Sequence, residues 1–141
     1  MQTEMIVDKA IAYFKMAQET PRGRKALDLI SWHQTIPFIV DDKPIFYLDV
    51  QRGVLKVHGG EAPKQDAETA FYDVSRVYTD AETLSKILEG KKDSSEAQWE
   101  DEAILLLPTG NYAQTTLLHQ LFIAGREEIL KAKRREFDES K

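Results

Sequence analysis

The chain has no cysteine. That excludes a disulfide scaffold, a thiolate zinc site, a cysteine nucleophile and a redox CxxC pair. It also lacks any long hydrophobic run. No run is longer than Ala103 to Leu107, which is far short of the roughly 20 residues that span a bilayer. Basic residues are in deficit, with 19 Lys+Arg against 24 Asp+Glu for a net charge of −5. This argues against nucleic acid as the main partner, because phosphate binding needs a net basic face. The opening MQTEMIVDKA carries Glu4 and Asp8 and no apolar h-region, so no secretory leader is expected. There is no internal repeat and no low-complexity tract. What is left is expected to be one soluble, cytoplasmic domain: at 141 residues one core is usual and about two-thirds of the unfolded surface can be buried.

Apolar spacing sets out the elements. Ile6, Ala10, Tyr13, Phe14 and Ala17 fall on one face of a helix. Pro21 and Gly23 interrupt that pattern, which predicts an end near Glu19, and a second helix is expected from Arg24 to about His33 with Leu27 and Ile30 inward. The period then changes. Ile36 to Val40, Ile45 to Val50 and the alternation of Leu55 and Val57 with Lys56 and His58 read as strands, separated by Asp41-Asp42-Lys43-Pro44 and Arg52-Gly53. Such short turns favour antiparallel pairing. Gly59 to Asp66 is loop-like, and Thr69 to Tyr78 reads as strand. Thr79-Asp80-Ala81-Glu82 has capping-box spacing, Leu84, Ile87 and Leu88 form an inner helix face, and Gly90 stands at its C-cap. A short helix follows Asp93, then a strand over Ala103 to Leu107. A long helix opens at Asn111, with Leu118, Leu121, Phe122, Gly125 and Ile129 on its apolar face. Helices segregated over a sheet make this an α+β chain.

Groups that carry chemistry are sparse. His33, His58 and His119 have neither HxxH nor HExxH spacing, and there is no GxSxG elbow, P-loop or GxGxxG. No metal site, cofactor or catalytic residue is therefore expected. Asp41-Asp42 and Glu100-Asp101-Glu102 are adjacent carboxylates, which point apart on a strand or helix. The basic clusters, Arg22-Gly23-Arg24-Lys25 and Lys131-Ala132-Lys133-Arg134-Arg135, read as solvated faces. The second, diluted by Glu136, Asp138 and Glu139, leaves room for transient contact with anionic lipid at most. Ala103 to Leu107 is apolar without alternation, so it is either covered on both faces or lines an apolar space.

Several blocks in order resemble the sterol-carrier-protein type 2 family of lipid-binding domains. They are Ile36-Pro37-Phe38-Ile39-Val40 with its acidic turn; Phe46-Tyr47-Leu48-Asp49-Val50 with Arg52-Gly53-Val54-Leu55-Lys56-Val57; Tyr78 to Leu84 leading through Leu88-Glu89-Gly90-Lys91; Ala97-Gln98-Trp99; and Thr109-Gly110-Asn111 with Leu118 to Phe122. The resemblance spans about Trp32 to Ile123. It implies a five-stranded, mainly antiparallel sheet with helices packed on one side; the chain departs from the family in continuing after Phe122 through Glu127, Glu128 and Arg135, which predicts a C-terminal helix longer than usual. Residues 1–33 would then form an N-terminal helical segment, 34–123 the sterol-carrier-like core and 124–141 a C-terminal helical extension.

The resemblance further implies a non-catalytic carrier of a hydrophobic small molecule: a sterol, fatty acid or fatty acyl chain in an apolar tunnel between sheet and helices. The lining it implies is Trp99, Leu105, Leu107, Leu117, Leu118, Leu121 and Phe122, with Phe38, Phe46 and Phe71 as lesser candidates. Gln98 stands where an aromatic is usual, and Glu100-Asp101-Glu102 where a glycine and a basic residue are usual. One alternative is an accessory or dimerising interaction module with a closed core, present as a homodimer. The other is a small enzyme using His58 or His119 with a nearby carboxylate.

Overall fold

The computed structural model describes residues 3–30, 33–63, 76–99, 104–107 and 112–139. Helix α1 (Thr3–Glu19) buries Ile6, Ala10, Tyr13, Phe14 and Ala17, the stripe that its spacing singles out. It ends where Thr20 turns the chain. Thr20 Oγ1 donates to the Ala17 carbonyl at 2.7 Å and accepts from the Gly23 amide at 2.9 Å. Thr20 is thereby the N-cap of α2 (Pro21–Asp28), and Pro21 occupies the first helical turn. An N–H is unpaired there in any case, so proline opens this helix instead of only ending the previous one. The second helix consequently starts three residues before the expected Arg24 and stops at Asp28, well short of His33. A Cβ on Gly23 would lie 2.0 Å from the Ala17 carbonyl oxygen, so only glycine lets the two helices meet this closely.

Strands β1 (Gln34–Val40), β2 (Lys43–Gln51) and β3 (Val54–Gly59) form two antiparallel hairpins. Each turn places two consecutive residues at positive φ: Asp41 and Asp42 (50° and 67°), then Arg52 and Gly53 (53° and 75°). This left-handed pair matches the strand twist in two-residue hairpins. After β4 (Arg76–Thr79) come α3 (Ala81–Leu88), α4 (Ser94–Trp99), β5 (Ile104–Leu107) and α5 (Tyr112–Glu139). The N-cap of α3 is Asp80, accepting from the Thr83 amide at 2.7 Å, one residue after the expected Thr79. Gly90, at φ 77°, follows the α3 C-cap Glu89. A Cβ there would meet Ile129 at 2.6 Å.

The strands form one sheet in the order β3-β2-β1-β4-β5. It is mixed: β1–β2, β2–β3 and β4–β5 pair antiparallel, whereas β4 runs parallel to β1, Phe38 opposite Val77 and Val40 opposite Thr79, a pairing not expected from the sequence. Short turns dictate antiparallel pairing for β1, β2 and β3. The connection over 60–75 is long enough for the chain to return along the free edge of β1 in the same direction. The Asp41 amide donates to the Thr79 carbonyl at 3.0 Å and ties the first hairpin to the end of β4.

Burial alternates along the strands. Ile36, Phe38, Val40, Phe46, Leu48, Val50 and Leu55 are buried, whereas Ile39, Tyr47 and Asp49 are half-buried on the opposite face. The helices pack on the first of these faces. Gln18 of α1 clamps the edge strand, its amide donating to the Leu55 carbonyl at 3.0 Å and its oxygen accepting from the Leu55 amide at 3.3 Å. That occupies edge groups which would otherwise be open to another strand. Where helices and sheet meet, Phe38 stacks on Phe46 at 4.4 Å, and Phe14 lies 6.0 Å from Phe38 and 5.7 Å from Phe122. Helix α5 is about 42 Å long. It packs on the body as far as Ile129, and every side chain from Leu130 to Glu139 is exposed.

Candidate functional site

Between α2 and α5 lies an open groove of about 790 Å³. Ala26, Leu29, Ile30 and Leu117 form its apolar wall, and Arg22, Lys25 and Gln120 stand at its polar margin. The helix spacing accounts for this surface: Ala26, Leu29 and Ile30 fall at i, i+3 and i+4, on one side of the α2 segment and the turn after it. Leu29 is 71% exposed, an unusually bare large side chain for a position lining a concave surface. Arg22 bridges the two helices, Nη1 donating to Gln120 Oε1 at 2.8 Å and Nη2 lying 3.8 Å from Glu127. Lys25 is exposed beside it. The volume falls in the usual range for ligand clefts, and the surface is apolar with few charged groups, as such clefts are.

A smaller cleft of about 160 Å³ opens where α5 meets the α3–α4 junction, with Ile87, Asp93, Phe122 and Arg126 among its walls. Tyr13 reaches it from α1. Burial pushes the Tyr13 phenol well above its ordinary range, with the nearby Arg126 opposing. Its hydroxyl donates to the Phe122 carbonyl at 2.7 Å. A phenol held protonated and bonded to backbone joins α1 to α5; it does not exchange protons at neutral pH.

The third feature lies on the sheet face away from the helices. Asp49 Oδ1 is 2.5 Å from His33 Nε2, and Asp49 Oδ2 is 3.8 Å from His58 Nε2. The Tyr47 ring lies 5.3 Å from the His58 ring. Sequence reasoning pairs His58 with an unnamed carboxylate; the carboxylate is Asp49, and His33 shares it. The two imidazoles address different oxygens, so they flank the carboxylate and do not converge on one point. About half of each His side chain is exposed. His119 stands exposed on α5. No group of three or more His, Asp or Glu side chains suited to a metal ion occurs among the described residues. Nor is any described helix long and apolar enough to cross a membrane.

Solved structures similar in fold can be named. The crystal structure of sterol carrier protein 2 aligns with a TM-score of 0.54 at 21% identity, over 85% of this chain and 95% of that one. A ubiquinone synthesis protein described as UbiJ-SCP2 aligns with a TM-score of 0.55 at 11% identity, over 86% and 94%. A conserved hypothetical protein of Thermus thermophilus, described as possibly a sterol carrier protein, aligns with a TM-score of 0.50 at 20% identity, over 85% of each chain. The chain has the sterol carrier protein 2 fold. No family model and no curated protein matches it by sequence.

Within this sterol carrier fold the expected lining residues separate. Leu117 lies on the α2–α5 groove. Leu118, Leu121 and Phe122 are buried in the main core, and Phe122 also borders the small cleft. Phe38 and Phe46 form the stacked core pair. The side chains of Trp99, Leu105 and Leu107 lie outside what the structure describes; on the backbone, Leu105 is registered opposite Tyr78 and Leu107 opposite Arg76. Phe71, Asn111 and Glu100-Asp101-Glu102 also lie outside the described residues or side chains. Sequence reasoning does not single out Leu29, Arg22 or Lys25 as parts of one surface. The signal is present in a basic cluster running straight into an apolar i, i+3, i+4 set, but the same pattern reads equally well as a solvated face beside a core stripe.

Proposed function

We propose that this chain is a non-catalytic lipid-binding protein that shelters the hydrocarbon body of a sterol, fatty acid or acyl lipid. The observation that carries the reading is the apolar α2–α5 groove of about 790 Å³, set in a fold shared with sterol carrier protein 2. The driving force is burial of the guest, about 0.8 kcal/mol for each methylene removed from water. A dozen methylenes give about 10 kcal/mol before the costs of association and ordering are subtracted.

The test is native mass spectrometry of the purified protein together with titration by a fluorescent fatty acid and a fluorescent sterol. Co-purifying lipid and saturable uptake support the reading. Leu29→Glu, a charge placed at an exposed wall position, should weaken uptake about tenfold or more with little change in stability. Absence of both lipid and uptake sinks the carrier reading. A second reading then stands: an accessory or dimerising module, favoured by the exposed end of α5. Its mark is a ligand-free dimer, or a complex with a partner enzyme, in solution.

A further inference from the structure

Gln34, the first residue of β1, carries a group that the fold leaves unused. The residue is 5% exposed, and neither Nε2 nor Oε1 of its side chain has a hydrogen-bond partner among the described residues. Burying an amide in this state is unfavourable, and folded chains almost always pair such groups. Its position is not peripheral. Gln34 shares the inward strand face with Ile36, Phe38 and Val40, and the register sets it opposite Val50, itself opposite Leu55. The amide therefore stands on the face where sheet and helices meet, in an otherwise apolar row. It is also close in the chain to the groove: Ile30, on the groove wall, precedes it by four positions. On the other side, the described part of β4 borders β1 only from Phe38 to Val40, so no described strand abuts Gln34 there.

We propose that the Gln34 amide is the internal recognition group of the lipid site, completed by a neutral polar group on the guest. This inference rests on the lipid-binding reading above and specifies the guest. An amide offers a donor and an acceptor side by side. A hydroxyl or an undissociated carboxyl can accept from Nε2–H and donate to Oε1 at once; an ester can only accept, and a carboxylate can only accept while carrying a buried charge. The guest is then an alcohol or a protonated acid whose neutral end enters first.

The experiment compares 1-decanol, decanoic acid and methyl decanoate on the full chain by calorimetry, for wild type and Gln34→Leu. Wild type should prefer decanol to the methyl ester by about tenfold or more, since a site built around a polar group rejects a ligand that leaves it unpaired. Decanoic acid should join decanol at a pH low enough to protonate it and weaken as it ionises; an acid that binds as well when ionised overturns the proposal. Gln34→Leu should bring decanol and ester to within about threefold of each other, chiefly through a loss of decanol affinity. Retention of the preference in Gln34→Leu overturns the proposal and assigns the amide a buried water or a structural role. Should the variant fail to fold, the wild-type Gln34 side-chain NH₂ resonances decide: they shift with decanol and not with the ester if the proposal holds, and respond alike if it fails. Binding of no probe by wild type overturns the lipid-binding reading itself, and this inference with it.

Discussion

Gly125 is where α1 and α5 touch, and substituting alanine there gives a sharp test of how the helix layer is seated. A Cβ at Gly125 would lie 2.3 Å from Tyr13 Cζ and 2.7 Å from its hydroxyl oxygen. These separations are far inside van der Waals contact, and Tyr13 has little freedom to yield. It is 2% exposed, hydrogen-bonded to the Phe122 carbonyl, and packed edge-on against Phe14 at 5.3 Å. Either the ring swings away and gives up its hydrogen bond, or α5 lifts from α1. Overpacking of this kind costs about 1–3 kcal/mol, and the lost hydrogen bond adds about 1. Alanine in place of a helical glycine returns about 1. The net expectation for Gly125→Ala is a loss of about 1–3 kcal/mol, read as a lower urea midpoint at unchanged slope. Tyr13→Leu removes the ring atoms that the methyl meets. The double variant Gly125→Ala/Tyr13→Leu should therefore be more stable than the sum of the single losses by about 1 kcal/mol or more. Wild-type stability for Gly125→Ala, or strict additivity in the cycle, refutes the claim that glycine is required for this approach.

Two further outcomes follow from the same helices. The Lys9 ammonium, 2.6 Å from Glu89 Oε1, holds the Glu89 carboxyl below its ordinary range, with Lys91 adding to the effect. Such a lowered group contributes stability above its unfolded-state pKa and loses it as pH falls through the folded one. Lys9→Met should accordingly cost about 0.2–1 kcal/mol at neutral pH, as expected for partly exposed pairs, and nearly nothing in acid where Glu89 is protonated; denaturant melts at both pH values check the sign. Ending the chain after Ile129 should shift stability by about 0.5 kcal/mol or less, because the side chains from Leu130 to Glu139 are exposed. Ending it after Phe122 should unfold the protein, since Ala124 and Ile129 pack in or against the core; thermal melts of both truncations separate the cases.

Much of the fold is legible in the sequence because local chemistry and tertiary packing agree there. Period-two alternation and the residues at 41–42 and 52–53 locate two hairpins, and the helical stripe of α1 names its buried face residue by residue. What the sequence hides has specific physical causes. Pro21 reads as a helix breaker, yet the same residue is favoured in a first turn, and only the Thr20 cap reveals which role operates. The parallel β1–β4 contact follows from where a long connection carries the chain, which neither propensity nor periodicity encodes. The candidate site is harder still. Leu117, Leu118, Leu121 and Phe122 lie close together in sequence, and an apolar helical position looks the same whether it faces a core or a cleft. Gln34 gives no signal, because an unpaired amide is visible only once its surroundings are known.

The arrangement of α5 bears on how a guest could enter. Consecutive residues on a helix project about 100° apart, so Leu117 and Leu118 do not serve the same surface. Leu117 borders the α2–α5 groove, whereas Phe122 is locked beneath it by three ring contacts, with Phe14, Phe38 and Tyr13, and by the Tyr13 hydrogen bond to its carbonyl. Admitting a guest between α5 and the aromatic cluster would break those contacts together. Admitting it from the α2 side leaves them intact, and asks that α2, an eight-residue helix, yield with its buried Ala26 and Leu27 and its Arg22 bridge to α5. The exposed Arg22–Gln120 hydrogen bond and the long Arg22–Glu127 pair are weak by comparison with a buried aromatic cluster. Were a guest bound as proposed, its entry beneath the helix layer would call for movement of α2 and not of the long C-terminal helix. Arg22→Ala should speed fluorescent fatty-acid uptake in stopped-flow mixing without lowering the amount bound, and an unchanged uptake rate would place the entry elsewhere.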